Sequence, residues 1–314
     1  MQLPSSNRNT CESSGEDDET TAGATATVPS PIRVFVPLCG KAVDMAYLAT
    51  AAARTETETS TETSTLVSSI QVVGLEGIRV ALEEFIEEHP NLNISREAIP
   101  RTKGIPFERF VGSGGYDDSN NGMVSLWKGD YFDLAAAAAK EQETQLLSST
   151  STTSSSSIIG TFGAIYDRAS IVAIEPDRRE DYVRILDQLL EPGGRILMVA
   201  LERVVENANA NENDIANANA AAATKKGPPY SVPESTIRKL FGRLGKRNEN
   251  NNNINTNTTT GHKDFDYSYK VELLQETDQL VVNPRDRERY PDLDRLLETV
   301  YLIRKEVVQC SALQ

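Results

Sequence analysis

The sequence predicts a doubly wound α/β fold with a mostly parallel, seven-stranded sheet and an antiparallel edge near the C-terminus. Short runs of β-branched and aromatic residues alternate with amphipathic segments of roughly ten to fifteen residues, which is typical of β-α-β units. The last two such runs read as a closing hairpin-like pair, which adds the antiparallel edge. Low-complexity stretches interrupt this pattern without adding strands or helices to it.

The first half of the chain supplies three strands and their helices. Residues 32–38 (IRVFVPL) read as a buried strand, and Gly40 permits a sharp turn before helical spacing begins at residue 42. Residues 70–76 form a second buried strand and are followed by an amphipathic helix over 77–88. A short strand at 124–128 precedes an Ala-rich helix over 135–147.

The second half continues the alternation. A strand over 162–166 leads to a helix that opens at Glu175-Pro176-Asp177, since proline and acidic residues favour a first helical turn. That helix is expected to end at Pro192-Gly193-Gly194. The remaining predicted elements are a strand at 195–201, a helix at 233–244, and strands at 269–274 and 299–304.

We expect one folded domain over residues 31–306, between an acidic tail at 1–30 and a short tail at 307–314. Runs rich in Ser, Thr, Asn, Ala and Glu interrupt the domain at 54–65, 148–157, 206–226 and 247–262. Such runs bury too little apolar surface to offset the entropy lost on ordering the chain.

Composition excludes several classes of partner. The net charge of −14 argues against nucleic acid, whose binding is driven by neutralising phosphates. No apolar run approaches the roughly 18 residues of a membrane helix, and the N-terminus shows no secretory signal. The three cysteines form no C-x-x-C pair, which argues against structural zinc and favours a reducing compartment. We therefore expect a cytoplasmic monomer that binds no metal.

The ends of the first two strands predict a ligand site. Gly40 lies in Pro37-Leu38-Cys39-Gly40-Lys41, where a strand, a turn and a helix N-terminus meet. Glu76 ends the second strand, the position where nucleotide-binding units place a carboxylate against ribose hydroxyls. With insert 54–65 discounted, the spacing from Gly40 to Glu76 approaches the about 20 residues of that motif. The alternative is a solvated glutamate at a strand end.

Two further strand ends carry suggestive residues. Asp130 and Tyr131 follow the third strand, and a carboxylate beside an aromatic ring suits a purine, although an aromatic core residue is an equal alternative. Arg168 ends the fourth strand, where a guanidinium can grip a ligand carboxylate. It can equally pair with Asp167 or Glu175.

The turn after the first strand disfavours a dinucleotide. A pyrophosphate needs several glycines so that backbone amides can approach it, and this turn has one. S-adenosylmethionine has a ribose and an adenine but no phosphate, so it tolerates such a turn. The two histidines, His89 and His262, make neither a metal site nor a catalytic triad.

These motifs resemble the thiopurine S-methyltransferase family. The resemblance is carried by VFVPLCGKAVDMAYLA, VVGLEGIRVALEEF, SLWKGDYFDL, IYDRASIVAIEPDRREDY, GPPYSVPESTIRKLFG and NPRDRERYPDLDRLLETVYLIRK, in that order. PLCGKAVDM and DRASIVAI are its most specific segments. The related halide and thiocyanate methyltransferases have a first loop richer in glycine and lack the Asp-Arg pair. The resemblance implies a Rossmann-like class I methyltransferase with S-adenosylmethionine as donor.

The resemblance also implies roles for individual residues. Residues expected at the cofactor are Leu38, Gly40, Glu76, Asp130, Tyr131 and Arg168, with Glu76 on the ribose and Asp130 and Tyr131 at the adenine. Residues expected at the acceptor are Arg168, Pro228, Pro229, Tyr230 and Arg287, with Arg285 or Arg289 as alternatives to the last. The implied acceptor is a small aromatic or heterocyclic thiol. Because such a thiol is largely ionised near neutral pH, we expect no catalytic base.

One departure from the family concerns residues 1–31. Family members carry a helical segment with aromatic residues before the first strand, and it folds over the cofactor. Residues 1–31 contain no aromatic residue, which predicts that this covering segment is missing. The alternative functions are therefore a catalytically impaired, methyltransferase-like binding protein, or a methyltransferase that acts on halide or thiocyanate.

Overall fold

A computed structural model describes residues 32–55, 70–97, 107–112, 124–134, 159–205, 227–244 and 267–308. The strands are β1 (Ile32–Val36), β2 (Ile70–Glu76), β3 (Ile94–Glu97), β4 (Glu108–Gly112), β5 (Val124–Lys128), β6 (Phe162–Arg168), β7 (Leu190–Val204), β8 (Tyr267–Asp278) and β9 (Arg295–Val307). The helices are α1 (Val43–Thr55), α2 (Arg79–Glu88), α3 (Arg179–Leu189), α4 (Glu234–Leu244), α5 (Gln279–Val282) and α6 (Pro284–Arg289). Short 3₁₀ helices occupy Pro90–Leu92, Ser170–Ala173 and Pro176–Arg178.

The strands form one sheet in the order β3-β4-β5-β2-β1-β6-β7-β9-β8. Its five central strands, β5-β2-β1-β6-β7, are parallel, and Phe35 of β1 lies opposite Val73 of β2 and Ile165 of β6. The predicted antiparallel C-terminal edge is confirmed, because β9 pairs antiparallel with both β7 and β8. The strand order reverses beside β1, which is where doubly wound sheets bind ligands.

Side chains of neighbouring strand positions enter two separate cores. Phe35 of β1 packs in one core with α3 and α4, and Val36 packs in the other with α1 and α2. Val73 and Val72 of β2 divide in the same way, since successive side chains point to opposite faces of a strand. The sheet is therefore covered by helices on both faces, as the alternating sequence pattern predicts.

The structure differs from the sequence prediction in its number of strands and in some boundaries. Among the described residues the sheet has nine strands where seven were predicted. The additional strands, β3 and β4, form a second antiparallel edge. β3 (ISRE) is short and mostly exposed, so it lacks the apolar alternation that marks a strand. β1 ends at Val36, and β7 begins at Leu190, so the predicted break at residues 192–194 lies inside a strand.

Several predictions fall outside the described residues. These are the tail at 1–30, the aromatic segment sought in 1–31, the helix at 135–147, and the inserts at 148–157, 206–226 and 247–262. Insert 54–65 also falls outside them, apart from residues 54–55, which continue α1. The division into one domain with tails and inserts stays a prediction. Across the described ranges, no helix is long and apolar enough to cross a membrane.

Candidate active site

The turn after β1 is built from residues in unusual backbone conformations. Leu38 has a φ of 43° and Gly40 a φ of 50°, both in the left-handed region. Glycine adopts this region at little cost, whereas a branched residue such as Leu38 does so only when its surroundings hold it there. Leu38 is held by packing against the larger core. The turn is thus a fixed feature at the carboxyl end of the central strand.

Glu76 fastens this turn to the end of β2. One carboxylate oxygen, Oε2, accepts a hydrogen bond from the Gly40 N–H at 2.8 Å, and the other, Oε1, accepts one from the Ile78 N–H at 2.9 Å. The side chain is only 8% exposed. An ionised carboxylate has about four acceptor positions, so each oxygen retains one for a further donor. Glu76 can therefore bind a diol while it holds the turn.

The backbone amides of the turn are mostly engaged within the protein. The Cys39 N–H donates to the Leu75 carbonyl at 2.9 Å, and the Ala42 N–H donates to the Cys39 carbonyl at 3.0 Å. The Gly40 N–H is bonded to Glu76, so these three N–H groups are not free to donate to the pyrophosphate of a dinucleotide. The site favours a ribose-bearing ligand without a pyrophosphate.

A cavity of about 340 Å³ opens at this turn, within the roughly 300–1,000 Å³ of small-molecule sites. It is lined by Val36, Pro37, Leu38, Cys39, Gly40, Lys41, Ala42 and Arg168. The Lys41 ammonium is already paired with Glu84 at 3.2 Å and Glu88 at 2.7 Å on α2. Burial raises the pKa of the Cys39 thiol, and the nearby Glu76 carboxylate adds to that rise, so Cys39 stays a neutral lining residue.

Arg168 brings a cation to the cavity from the end of β6. Its Nε lies 2.5 Å from Asp44 Oδ2 in the first turn of α1. This pairing differs from both ion-pair alternatives considered from sequence, Asp167 and Glu175. About half of the Arg168 side chain is exposed, so the guanidinium can also reach a ligand.

Asp167, the neighbour of Arg168, is fully buried below the cavity. Its Oδ1 accepts from the Ser170 N–H at 2.7 Å, and its Oδ2 accepts from the Tyr182 hydroxyl at 2.8 Å. The Ser170 hydroxyl in turn donates to the Pro37 carbonyl at 2.6 Å. Burial raises the pKa of Asp167 to about 6, although these hydrogen bonds lower it. The network joins the end of β6 to the turn after β1.

The raised pKa of Asp167 predicts that the free energy of unfolding depends on pH. Because the pKa is about 6 in the folded protein and 3.8 in an unfolded chain, the folded state binds the proton more tightly between these values. Stability relative to Asp167→Asn should therefore fall as pH rises from about 4 to about 7, by of order 3 kcal/mol. Urea unfolding of both proteins at several pH values measures this difference. Asp181→Asn, an exposed carboxylate on α3, should show a nearly constant difference, and a constant difference for Asp167→Asn would contradict the prediction.

After β5, the structure matches the alternative in which Tyr131 is an aromatic core residue. Tyr131 is 2% exposed, its ring lies 4.7 Å from that of Tyr182, and its hydroxyl donates to the Tyr182 carbonyl at 3.0 Å. The ring is therefore packed into the core and does not offer a free stacking face. Asp130 is exposed, and its Oδ1 accepts from the Phe132 N–H at 2.8 Å. Their contact with an adenine stays a prediction.

The predicted acceptor residues fall into two segments. The first contains a cis peptide between Pro228 and Pro229, and the Tyr230 N–H donates to the Val172 carbonyl at 2.7 Å, beside the end of β6. The second is α6, where Arg287 donates to the Leu293 carbonyl at 3.1 Å. Arg287 does not line the cavity. Arg289 lies over the Tyr290 ring at 5.3 Å, and the Arg285 N–H is capped by Asn283.

Of the two histidines, one lies in the described part of the chain, away from the residues that line the cavity. His89 ends α2, stacks on Phe85 at 4.4 Å, and contacts the Phe85 carbonyl through Nδ1 at 2.9 Å. His262 lies outside the described residues. In the described part of the chain, no three His, Cys, Asp or Glu side chains lie close enough to hold a metal ion.

Three charged residues near the candidate site were not predicted from sequence. They are Asp44, which pairs with Arg168, and the buried Arg179 and Arg203. Asp44 was discoverable in principle, because it lies in the first turn of the helix that follows the Gly40 turn. Arg179 and Arg203 carry no such signal, since arginines are usually exposed and nothing in the sequence predicts their burial.

Comparisons with known proteins found a matching family model and related chains. The family model described as thiopurine S-methyltransferase matches residues 137–306. A thiopurine S-methyltransferase from Methylococcus capsulatus is 27% identical over 88% of this chain and 83% of its own length. A probable thiopurine S-methyltransferase from Danio rerio is 26% identical over 87% of this chain and 78% of its own. An arsenic(III) S-adenosylmethionine methyltransferase from Chlamydomonas reinhardtii aligns over 90% of this chain and 67% of its own, at 13% identity and a TM-score of 0.42.

Proposed function

Since the chain belongs to the thiopurine S-methyltransferase family, we propose that it methylates the sulfur of a small aromatic or heterocyclic thiol. The family match confirms the resemblance that was predicted from sequence. The chain is an S-adenosylmethionine-dependent methyltransferase. The thiol acceptor and the individual site residues belong to the proposal. Its principal support is the turn after β1 and the Glu76 carboxylate that fastens it.

The residues at the turn fit S-adenosylmethionine. Its ribose presents a diol to donate to the free acceptor positions of Glu76, which already holds Gly40 and Ile78. It has no pyrophosphate, so it does not require free backbone N–H groups in the turn. The N–H groups of Cys39 and Ala42 are already engaged in internal hydrogen bonds. Leu38 and Gly40 would form the wall against which it lies, and Arg168 would lie at the junction with the acceptor.

The proposed chemistry requires little of the protein beyond alignment. When bound, S-adenosylmethionine supplies a methyl group on a positively charged sulfur, so the leaving group is a neutral thioether. The protein would hold the acceptor thiolate in line with that methyl group, so that the new carbon–sulfur bond forms as the bond to the departing thioether breaks, and no proton would have to be removed from an acceptor that is already ionised. Arg168 would stabilise that anion, and the fixed turn after β1 would align the two reactants. The site therefore functions without histidine or a metal.

The acceptor atom can be tested directly. The full chain should methylate thiophenol and mercaptopurine in the presence of S-adenosylmethionine, and should be at least about 100-fold slower on phenol, thiocyanate and iodide. Mass spectrometry of the products identifies the methylated atom. Faster methylation of thiocyanate or iodide would replace the proposed thiol with those acceptors. Methylation of none of them, with retained S-adenosylmethionine binding, would favour a binding protein.

We also retain as proposals that the enzyme is monomeric, cytoplasmic and independent of nucleic acid. The net charge of −14 supports the last of these, because a strongly acidic surface repels phosphates. The buried, unpaired Cys39 is compatible with a reducing compartment.

A further inference from the structure

Two arginines near the predicted acceptor segment are buried without a counter-ion. Arg179 at the start of α3 is 4% exposed, and Arg203 near the end of β7 is 7% exposed. In the part of the chain that the structure describes, neither forms an ion pair, and the buried Nη2 of Arg179 and Nη1 of Arg203 have no hydrogen-bond partner. A desolvated guanidinium is costly unless an anion pairs with it. Both residues are therefore candidates for binding a charged ligand.

Arg203 lies between the two segments that sequence places at the acceptor. Its backbone N–H donates to the Ser231 hydroxyl oxygen at 3.0 Å, directly after Tyr230. Its guanidinium lies 5.7 Å from the ring centre of Tyr290, at the end of α6. The strand register places Val199 opposite Arg168, so Arg203 lies about 13 Å farther along the sheet than Arg168. Arg203 is not among the residues that line the cavity at the Gly40 turn, so it would contact a part of the acceptor remote from the reacting sulfur.

Arg179 is also close enough to Tyr230 of this segment to interact with it electrostatically. Its Nε donates to the Ile174 carbonyl at 3.3 Å, and its pKa is lowered by burial while the Tyr230 phenol opposes that effect. Tyr230 is also bonded to Val172, four residues beyond Arg168. The segment Gly227–Ser231 thus interacts with both buried arginines and is hydrogen-bonded to the turn that follows β6.

We propose that Arg203 and Arg179 recognise an anionic oxygen group on the acceptor, so that the substrate class is thiols that carry a carboxylate or similar group besides the sulfur. This inference rests on the proposed function. A guanidinium fork matches a carboxylate closely, and such an anion would supply the counter-charge that the described residues do not provide at either arginine. The sulfur would lie toward Arg168 and the anionic oxygens toward Arg203.

The test compares 4-mercaptobenzoate with its methyl ester, which differ in one charge and share the thiol. The wild-type enzyme should have a kcat/KM at least about 10-fold higher for the carboxylate. In Arg203→Met, kcat/KM for the carboxylate should fall about 10- to 100-fold, which is the effect expected when a hydrogen bond to a charged group is lost. The kcat/KM for the ester should stay within about 3-fold of the wild-type value. Arg179→Met should likewise lower kcat/KM for the carboxylate much more than for the ester. Arg195→Gln, an exposed arginine at the opposite end of β7, should change neither rate.

Stability separates recognition from a structural role. If Arg203 serves a ligand, Arg203→Met should keep or raise the unfolding midpoint, because it removes an unpaired buried charge. The free carboxylate thiol should raise the midpoint of the wild type without cofactor and should not raise that of Arg203→Met. Arg203→Lys, which keeps the charge, should retain part of the preference.

The outcomes are distinct. Equal wild-type rates on acid and ester, or an equal loss on both in Arg203→Met with a lowered midpoint, would overturn the inference. Unfolding of both the Met and the Lys variants would also overturn it, because Arg203 would then be structural. If no thiol is methylated but the carboxylate thiol raises the unfolding midpoint of the wild type and not of Arg203→Met, the proposed reaction is wrong. The anion-binding role of Arg203 is then still supported.

Discussion

Replacing Glu76 by alanine is expected to weaken S-adenosylmethionine binding by about 100-fold or more. The carboxylate is the one group predicted to hold both ribose hydroxyls, and hydrogen bonds to a charged group contribute about 1.5–3 kcal/mol each. The variant also frees the Gly40 and Ile78 N–H groups, which loosens the turn that lines the cavity. Isothermal titration calorimetry of the full chain measures the change in affinity.

Two further variants control this experiment. Glu84→Ala removes an exposed partner of Lys41, which leaves the Glu88 pair intact, so affinity should change less than about 5-fold. Glu76→Gln preserves size and one acceptor oxygen, so its loss should lie between those of the other two variants. Unchanged affinity in Glu76→Ala, with a folded variant, would remove Glu76 from the cofactor site.

Gly74→Ala is expected to destabilise the protein and to disturb the same turn. A Cβ at position 74 would lie 2.8 Å from Cys39 Sγ and 2.8 Å from Met45 Sδ, closer than such atoms pack, and 3.2 Å from Leu126 Cδ2. Overpacking of this kind costs about 1–3 kcal/mol. Movement of Cys39 would also displace Gly40, so S-adenosylmethionine affinity should fall together with the free energy of unfolding. Urea unfolding and calorimetry measure the two effects.

Gly242 offers a matched control in α4. A Cβ there meets no atom within 4 Å, and alanine is favoured over glycine in a helix by about 1 kcal/mol. Gly242→Ala should therefore raise the free energy of unfolding and leave cofactor affinity unchanged. A Gly74→Ala protein as stable as the wild type would show that Cys39 and Met45 pack on β2 less tightly than the structure indicates.

The central part of the fold and the first half of the site were predictable from sequence. Parallel strands buried on both faces give continuous apolar runs, so β1, β2, β5 and β6 were recognised with small errors at their ends. The position of Glu76 at the end of β2 was predictable because it depends only on the strand end, and its role at a ribose stays a prediction. The turn itself was also predictable, since Gly40 is needed where φ is positive.

The remaining features depend on packing between distant segments. In the β3–β4 edge, β3 is polar and mostly exposed, and β4 has only five residues, so neither strand carries a strong period. Tyr131 lies beside a strand end, but its burial depends on Tyr182, 51 positions away. The Arg168 partner is Asp44 rather than a nearby acid, because α1 and β6 meet only in the folded sheet. The burial of Arg203 depends on Ser231 and Tyr290 in the same way.

The most direct test of the central claim is a crystal structure of the full chain with S-adenosylhomocysteine. We expect the ligand at the carboxyl ends of β1 and β2, with both ribose hydroxyls within hydrogen-bond distance of the Glu76 carboxylate. Its sulfur should face Arg168 and the segment Gly227–Ser231. A ligand bound away from the Gly40 turn, or one whose ribose does not contact Glu76, would contradict the assignment of this turn as the cofactor site.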